Sequence, residues 1–442
     1  MFNDKTSAFY TLGCKLNFSE TSTIARQLKE IGFVKNEFRD GADLFVINTC
    51  SVTENANKEC RRIIRKAKKT SPNSFVVVTG CFAQLKPQSI SEIDGVDMVL
   101  GANDKFNLPT LLVDLNNKNK GEIHGCEIEN LDYTSSFSME ERSRSFLKIQ
   151  DGCNYPCTYC TIPLARGKSR CDTVENILMN ASKIGENEIK EIVITGVNIG
   201  EFIDPKTNEN FYNLMKKLED VDGIERYRIS SIEPNLITDE IIEFVKHSKK
   251  FMPHFHIPLQ SGSDEILGKM KRRYGTQLYK EKVMRIVKEI PEVCIGADVI
   301  VGFPGETDEL FKSTLNFIKE LSLSYLHVFR YSERENTKAV EFDGVVPKKE
   351  RSERSKKLRI LSEKLQRAHY QKFIGTTQTA LMERENKNGF LFGYTDNYIK
   401  VKIPFDKELV QQKLKIKLLS HDENGNIKSE IKKYVPNYKS SY

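Results

Sequence analysis

Two consecutive series of alternating strand-like and helical segments constrain the fold of this 442-residue chain most strongly. In the first hundred residues, helical patterns separate four apolar runs, at residues 8–12, 44–48, 75–79 and 98–100. One such helical pattern spans 19–31, with a polar start. This alternation is typical of βαβ units and a parallel sheet. We therefore predict a parallel α/β domain over residues 1–115, followed by a linker over 116–138, where the sequence is polar and irregular.

The second series indicates a barrel. Six strand-like runs occur at residues 146–150, 191–195, 227–232, 255–259, 293–301 and 325–329. Helical stretches separate most of them, which is the pattern of an incomplete TIM-like (β/α)6 barrel. We predict this domain over residues 139–372. Its active site is expected at the carboxyl ends of the strands, where such barrels carry their binding loops.

The pattern changes to short alternating strands after Gly375. Asn388-Gly389 and Asn424-Gly425 are pairs that favour hairpin turns, so residues 373–442 are predicted to form a small all-β, OB-like barrel. This region has twelve Lys or Arg and eight Asp or Glu, a basic surplus of four. Small basic β-barrels often bind nucleic acid.

Charge and hydropathy exclude some classes of protein. The net charge is +7, and no apolar run approaches the roughly 18 residues of a membrane span. The first residues lack the features of a signal peptide, so we expect a cytoplasmic protein without membrane segments. Basic residues concentrate in 58–69, with seven against one acidic residue, and in 348–372, with ten against three. Each run is either a solvated helix face or a phosphate-binding surface.

Three of the ten cysteines form a compact motif. Cys153, Cys157 and Cys160 have Cys-x3-Cys-x2-Cys spacing directly after the first barrel strand, where Gly152 and Pro156 oppose a helix. Closely spaced thiolates can bind one face of an iron–sulfur cluster. Three ligands leave one iron of a cubane open. The alternative is a structural zinc site, which requires a fourth Cys or His.

A second set of cysteines is dispersed along the chain. Cys14, Cys50 and Cys81 each follow a strand of the predicted parallel sheet. Carboxyl ends of such strands line a common crevice, so the three can meet. Alternatively, each is a small buried apolar residue, the usual fate of a free cysteine. The others, Cys60, Cys126, Cys171 and Cys294, fit neither set and are interpreted as structural.

Polar and glycine-containing segments follow the later barrel strands, at 195–198, 230–234, 258–263 and 298–307. Singly, each is an ordinary turn; as an ordered series they lie where a barrel places its ligand-binding loops. His254 and His256 alternate along one strand, and one of them is expected to face the barrel interior. A packed or hydrogen-bonded histidine is the favoured interpretation for both.

The compact motif, with Tyr159 as the aromatic residue before the last cysteine, resembles that of the radical S-adenosylmethionine (SAM) superfamily. The whole arrangement resembles the methylthiotransferase family, which has a three-cysteine amino-terminal domain, a radical SAM domain and a carboxyl-terminal TRAM domain. The resemblance implies a [4Fe–4S] cluster at each cysteine set. It also implies that SAM is bound by Tyr159, Thr195, Gly196, Asn198, Ser231, Glu233, Gln260, Ser261, Asp298 and Gly302.

The family's reaction is the insertion of a methylthio group into a nucleoside or an aspartate. The resemblance implies that two SAM molecules are used per turnover, one as the radical source and one as the methyl donor. The cluster at Cys14, Cys50 and Cys81 is implied to carry the sulfur. Implied partners are the anticodon stem-loop of tRNA, an electron donor such as flavodoxin, and a sulfur source.

Residues near both cysteine sets suggest the substrate. Lys15 and Ser19-Glu20, together with the segment 165–170, resemble the family branch that modifies N6-threonylcarbamoyladenosine at tRNA position 37. The threonylcarbamoyl group carries a carboxylate, so a matching pocket should contain a cation with bidentate reach, which Arg166 or Arg170 could supply. The resemblance also implies Lys15 as a substrate residue. Isopentenyladenosine in tRNA and a ribosomal-protein aspartate are alternative substrates. A redox-sensing iron–sulfur protein that binds RNA is the alternative of another class.

Overall fold

The structure, a computed structural model, describes residues 2–51, 54–112, 115, 121–128, 131–139 and 143–434. The elements of the amino-terminal region are, in chain order, β1 (Thr6–Thr11), α1 (Lys15–Glu30), β2 (Val34–Lys35), β3 (Leu44–Thr49), α2 (Glu54–Thr70), β4 (Phe75–Gly80), α3 (Cys81–Leu85), α4 (Pro87–Ser91), β5 (Met98–Leu100), α5 (Leu108–Leu111) and β6 (Glu122–His124).

These strands form one parallel sheet in the order β2-β1-β3-β4-β5-β6. The four predicted strands are confirmed as its centre. Strand β3 is buried on both faces: Phe45 packs with Ile63 of α2, and Val46 packs with Ile24 of α1. Such double burial explains the continuous apolar run that marks this strand in the sequence.

The segment predicted as an irregular linker contains two strands. Residues 122–124 form β6, in which Ile123 pairs with Val99 of β5. A second strand, β7 (Ser136–Phe137), pairs antiparallel with the first barrel strand. Both are edge strands of two or three residues, too short to produce an apolar alternation. Residues 116–120, 129 and 130 lie outside the described part of the chain, and the domain boundaries themselves stay a prediction.

The central region continues with β8 (Arg144–Lys148), β9 (Gln150–Asp151), α6 (Ile162–Arg166), β10 (Arg170–Cys171), α7 (Val174–Glu186), β11 (Glu191–Thr195), α8 (Phe211–Glu219), β12 (Arg226–Ile229), α9 (Asp239–His247), β13 (His254–His256), α10 (Asp264–Lys269), α11 (Thr276–Glu289), β14 (Cys294–Val301), α12 (Asp308–Glu320), β15 (Tyr325–Arg330) and α13 (Lys348–Gln371). Helices α7, α9 and α12 begin after threonines whose side chains accept from backbone N–H groups of the first turn, the usual amino-terminal cap. Among the described helices, none is long and apolar enough to cross a bilayer.

The six predicted barrel strands are confirmed. Strands β8, β11 and β12 pair in parallel, as do β13, β14 and β15. Two isolated bridges, between Tyr227 and Phe251 and between Ser231 and His256, connect the β12 and β13 segments, so the wall is a partial barrel. Helix α1 packs beside β7 and β8, where Arg26 donates to the carbonyl oxygen of Phe137 at 2.9 Å. The amino-terminal region is thereby held against the first strand of the barrel.

The carboxyl-terminal strands are β16 (Thr377–Lys387), β17 (Phe390–Thr395), β18 (Lys400–Pro404), β19 (Lys413–His421) and β20 (Ile427–Tyr434). They close into a barrel in the order β16-β17-β18-β20-β19, which confirms the predicted all-β fold. Asn388 and Gly389 both have positive φ, as the predicted hairpin turn requires. The barrel docks through Arg226 and Arg228 of β12, which donate to carbonyl oxygens of Tyr394 and Thr395 at 3.1 and 2.8 Å.

Candidate active site

The Cys-x3-Cys-x2-Cys loop begins after β9 and turns at Gly152. This glycine has a φ of +70°, and a Cβ atom there would lie 2.0 Å from the carbonyl oxygen of Lys168, so only glycine fits. The turn places Cys153, Cys157 and Cys160 on the wall of a cavity of about 340 Å³ beside the loops that follow the barrel strands. We name this space the cysteine-loop cavity.

Hydrogen-bond donors point at all three sulfur atoms of this loop. The backbone N–H groups two residues after Cys153 and after Cys160 donate to their sulfurs at 3.4 Å, and Arg272 Nη1 donates to Cys157 Sγ at 3.1 Å. Burial raises the pKa of Cys153 to about 11 and that of Cys160 to about 12, so a metal must displace their protons. Three soft ligands with donors to their sulfurs fit a [4Fe–4S] cluster.

Six of the ten residues predicted to contact SAM line the cysteine-loop cavity: Tyr159, Asn198, Ser231, Glu233, Gln260 and Asp298. Thr195 and Gly196 line a neighbouring cavity instead. Ser261 and Gly302 line neither of these two cavities. Ser261 is fully buried, with its hydroxyl 3.2 Å from that of Thr314. Gly302 packs against Arg351, and the contact of Ser261 and Gly302 with SAM stays a prediction.

Arg272 is a cavity residue that is absent from the sequence-based predictions. It lies just after α10, contacts Cys157 and forms an ion pair with Glu233. Burial raises the pKa of Glu233, and Arg272 partly offsets this effect. The guanidinium also stacks over the ring of Tyr274, 5.0 Å from its centroid. The run Lys271-Arg272-Arg273 is the available signal, because three cations after a short helix in a predicted barrel loop indicate an anionic neighbour.

The dispersed cysteines stand where the parallel sheet predicts them. Cys14 precedes α1, Cys50 follows β3, and Cys81 is the first residue of α3. A Cβ atom on Gly13, whose φ is +101°, would lie 2.7 Å from the Cβ of Cys50, so these two strand ends touch. Burial raises the pKa of Cys81, Arg166 opposes this rise, and a negative charge on Cys14 adds to it. Cys14 and Cys81 are therefore electrostatic neighbours, and Cys50 adjoins Gly13, an arrangement that fits a second cluster.

Cys14 and Cys50 open onto a second cavity of about 770 Å³, which we name the inter-domain cavity. All three regions contribute to its wall: Lys15 from α1, Arg228 from the partial barrel and Tyr398 from the carboxyl-terminal barrel. Three residues, Ser231, Asp298 and Phe329, line both this cavity and the cysteine-loop cavity. Cys14 and Cys50 therefore face a cavity that adjoins the one lined by Cys153, Cys157 and Cys160, whereas Cys81 is buried and lines neither of these two cavities.

Both histidines of β13 line the inter-domain cavity, whereas the sequence predicts that only one faces inward. Residues two apart on a strand point to the same side. His254 and His256 each contact the hydroxyl of Tyr325, at 3.0 and 3.3 Å. His256 Nε2 also lies 2.9 Å from Asp298 Oδ1, and His327 Nδ1 lies 3.3 Å from the same oxygen. Although burial opposes it, these two rings hold the pKa of Asp298 well below its ordinary value.

The arginines predicted to bind a substrate carboxylate are already engaged by the protein. Arg166 is buried, and its guanidinium contacts Glu20 at 2.8 Å, Asp151 at 2.9 Å and the side-chain oxygen of Asn17 at 2.6 Å. Arg170 donates to the carbonyl oxygen of Arg166 at 2.5 Å. Neither arginine lines the inter-domain cavity. The sequence could not reveal this arrangement because Glu20 and Asn17 come from α1, far along the chain.

Lys15 is placed differently. Its side chain is exposed to the inter-domain cavity but surrounded by protein. Removal from bulk solvent and repulsion by Arg144 lower its pKa to about 8, and Asp298 partly opposes them. Among the described residues, none forms a hydrogen bond or ion pair with the Lys15 ammonium.

Comparison with known families matches all three regions. Residues 6–101 match the uncharacterized protein family UPF0004, residues 147–318 match the radical SAM superfamily, and residues 371–421 match the TRAM domain. The solved radical SAM methyltransferase TsrM from Kitasatospora setae has a similar fold, with a TM-score of 0.56 and 13% identity over 74% of this chain and 75% of that chain. The cysteine loop on this fold defines a radical SAM enzyme, which requires a [4Fe–4S] cluster and SAM.

Curated relatives specify the family. The threonylcarbamoyladenosine tRNA methylthiotransferase MtaB of Bacillus subtilis is 39% identical over 94% of both chains, and that of Aquifex aeolicus is 37% identical over 91% of this chain and 97% of its own. A tRNA-2-methylthio-N(6)-dimethylallyladenosine synthase of Clostridium botulinum is 32% identical over 92% of this chain and 93% of its own. The chain belongs to the radical SAM tRNA methylthiotransferase family and is a transferase.

Proposed function

We propose that this enzyme converts N6-threonylcarbamoyladenosine at position 37 of tRNA, next to the anticodon, into its 2-methylthio derivative. The observation that carries the proposal is the pair of adjoining cavities, one lined by Cys153, Cys157 and Cys160 and the other by Cys14 and Cys50. Ser231, Asp298 and Phe329 form their shared wall. A base in the inter-domain cavity would lie between the radical source and the sulfur source. The higher identity to MtaB enzymes than to the dimethylallyladenosine synthase supports the choice of nucleoside.

The cysteines would hold both inorganic groups. When bound by Cys153, Cys157 and Cys160, a [4Fe–4S] cluster would supply the reductive cleavage of SAM to a 5′-deoxyadenosyl radical, which takes hydrogen from carbon 2 of adenine. The set Cys14, Cys50 and Cys81 would bind a second [4Fe–4S] cluster as the source of sulfur. A second SAM molecule would provide the methyl group. An electron donor such as flavodoxin and a sulfur source complete the requirements.

The side chains of the cysteine-loop cavity would bind and orient SAM. Asn198 is buried in the wall of this cavity beside Tyr155 and Glu201, and its carboxamide can bind a polar ligand. Arg272 holds Glu233 in place, and this carboxylate can accept from the amino group of SAM. The two histidines on Asp298 keep its carboxylate ionised and directed at the boundary between the cavities, where it can accept from a ribose hydroxyl.

Basic side chains outside the cavities would bind the tRNA backbone. In the basic run 348–372, which covers α13 and the residue after it, eight of the ten cations are exposed: Lys348, Lys349, Lys356, Lys357, Arg359, Lys364, Arg367 and Lys372. The other two, Arg351 and Arg354, are buried in ion pairs with Glu333 and Glu306. The exposed face and the carboxyl-terminal barrel would contact phosphates, so tRNA affinity should fall steeply as salt rises. The anticodon loop would present its purine unstacked.

Nucleoside mass spectrometry of tRNA from a deletion strain tests the proposal. Loss of 2-methylthio-N6-threonylcarbamoyladenosine, restored by the wild-type gene and not by a Cys157→Ala variant, is the expected result. Loss of the methylthio-isopentenyl nucleoside instead, or intact tRNA with an unmodified ribosomal protein, would overturn it. A purely redox-sensing protein would leave all of these unchanged, and SAM would not alter the spectrum of its clusters.

A further inference from the structure

The inter-domain cavity has three cations in its wall, and two of them are occupied. Arg228 contacts Glu191 at 3.0 Å and donates to the carbonyl oxygens of Thr395 and Asp396 at 2.8 and 2.9 Å. Arg144 forms ion pairs with Glu191 at 3.7 Å and, from its other terminal nitrogen, with Glu383 at 3.1 Å. Both guanidinium groups thus hold the domains together and are not available to a ligand.

Lys15 is the third cation. The nearby carboxylate, Asp298, is held by His256 and His327, and no described residue pairs with the ammonium of Lys15. The Lys15 side chain is exposed on the wall of the cavity, and the positive charges of Arg144 and Arg228 repel its ammonium. An anionic group in the cavity would offset this repulsion. The cavity, at about 770 Å³, has room for a modified base as well as that group.

The position of Lys15 beside Cys14 specifies which part of a base it would meet. In adenine, carbon 2 and the carbon that bears N6 both adjoin N1, so they share one edge of the ring. A base that presents carbon 2 to the cysteines at the strand ends therefore directs its N6 substituent to the same end of the cavity. Lys15 directly follows Cys14 in the chain and lines that end.

We infer that Lys15 binds the carboxylate of the N6-threonylcarbamoyl group and thereby selects this nucleoside over one with an uncharged substituent. This inference rests on the proposed function and names the residue that determines its specificity. Arg166 and Arg170 support the cysteine-bearing elements instead. Lys15 is a recognition residue, and its replacement should impair binding of the charged nucleoside without changing the affinity for the rest of the RNA.

Binding measurements on the reconstituted, anaerobic full-length enzyme test this inference. The probes are two anticodon stem-loop RNAs of identical sequence, one with threonylcarbamoyladenosine and one with its neutral carboxamide. The wild-type enzyme should prefer the carboxylate RNA, and Lys15→Met should weaken its binding by about tenfold or more while leaving the carboxamide RNA unaffected. Lys15→Arg should restore part of the preference. Lys364→Met, on the exposed face of α13, is the matched control and should weaken both RNAs equally.

The outcomes separate the inference from the function on which it rests. A wild-type enzyme without preference for the carboxylate would contradict the proposed substrate. A preference that survives in Lys15→Met would overturn the role of Lys15 alone. Iron content and the electron paramagnetic resonance spectra of both clusters should match those of the wild type. Loss of iron in Lys15→Met would show that Lys15 serves the cluster at Cys14, and would also overturn the inference.

Discussion

The two cysteine sets differ in how the chain brings them together. Cys153, Cys157 and Cys160 lie within eight residues on one loop, whereas Cys14, Cys50 and Cys81 come from three strands and meet only because those strands are parallel neighbours. The first set requires one turn at a glycine, and the second requires an entire sheet. The compact set can therefore be recognised from the spacing of its cysteines in the sequence. The three dispersed cysteines come together only when the amino-terminal domain folds correctly.

The largest effect should come from removing one ligand of each set. Cys157→Ala should eliminate both SAM cleavage and methylthiolation, because the open-iron cluster is lost. Cys50→Ala should eliminate methylthiolation but keep the formation of 5′-deoxyadenosine. Each variant should contain about four irons after reconstitution, against about eight in the wild type.

Iron analysis and quantification of 5′-deoxyadenosine by liquid chromatography provide the measurements. Cys60→Ala is the control: this buried thiol of α2 packs into the core between the helix and the sheet, and its removal should leave about eight irons. A wild-type content of about four irons would show that the dispersed cysteines bind no cluster.

The sequence predicts features that depend on local residue patterns and misses those that depend on contacts between distant segments. Strands β3 and β4 are buried on both faces, so their apolar runs identify them, and their order places three cysteines together. The short edge strand β6 escapes such prediction because a single side chain, Ile123, packs inward. The local sequence around Arg166 shows only a cation near Cys160, which favours a substrate role. Its partners Glu20 and Asn17 come from another domain, and only the folded chain reveals them.

Arg166→Leu should give the next largest effect, on stability. Arg166 joins the loop after Cys160 to α1 after Cys14, through Asp151 and Glu20. Removing it leaves two buried carboxylates without their main partner, which costs about 3–5 kcal/mol. We expect chemical unfolding of the protein to reflect a loss of this size. Arg359→Leu, exposed on α13, is the control and should change the free energy of unfolding by less than about 0.5 kcal/mol. Equal effects of the two substitutions would show that the network does not join the domains.

Gly13→Ala should have a smaller effect that is directed at the dispersed set. A left-handed alanine costs about 1–2 kcal/mol wherever it stands, and at Gly13 its Cβ would also collide with Cys50. Gly375 offers a matched control, because its φ is +88° and a Cβ added there would have no other atom within 4 Å. Both variants should lose stability, but only Gly13→Ala should lose iron from the second cluster. Full iron content in Gly13→Ala would show that the strand ends can move apart without consequence.

Arg272→Gln should have the smallest effect. It tests whether a residue outside the cysteine loop influences the cluster that Cys153, Cys157 and Cys160 bind. Arg272 lies more than a hundred residues from Cys157, yet donates to its sulfur at 3.1 Å. A cationic donor stabilises the reduced, more negative cluster, so its removal should shift the midpoint potential of the SAM-binding cluster to more negative values. A titration monitored by electron paramagnetic resonance measures this shift, and the potential of the second cluster, bound by Cys14, Cys50 and Cys81, should not change. An unchanged potential of the SAM-binding cluster would mean that its properties come from the loop alone, and that the compact set is as self-contained as its spacing suggests.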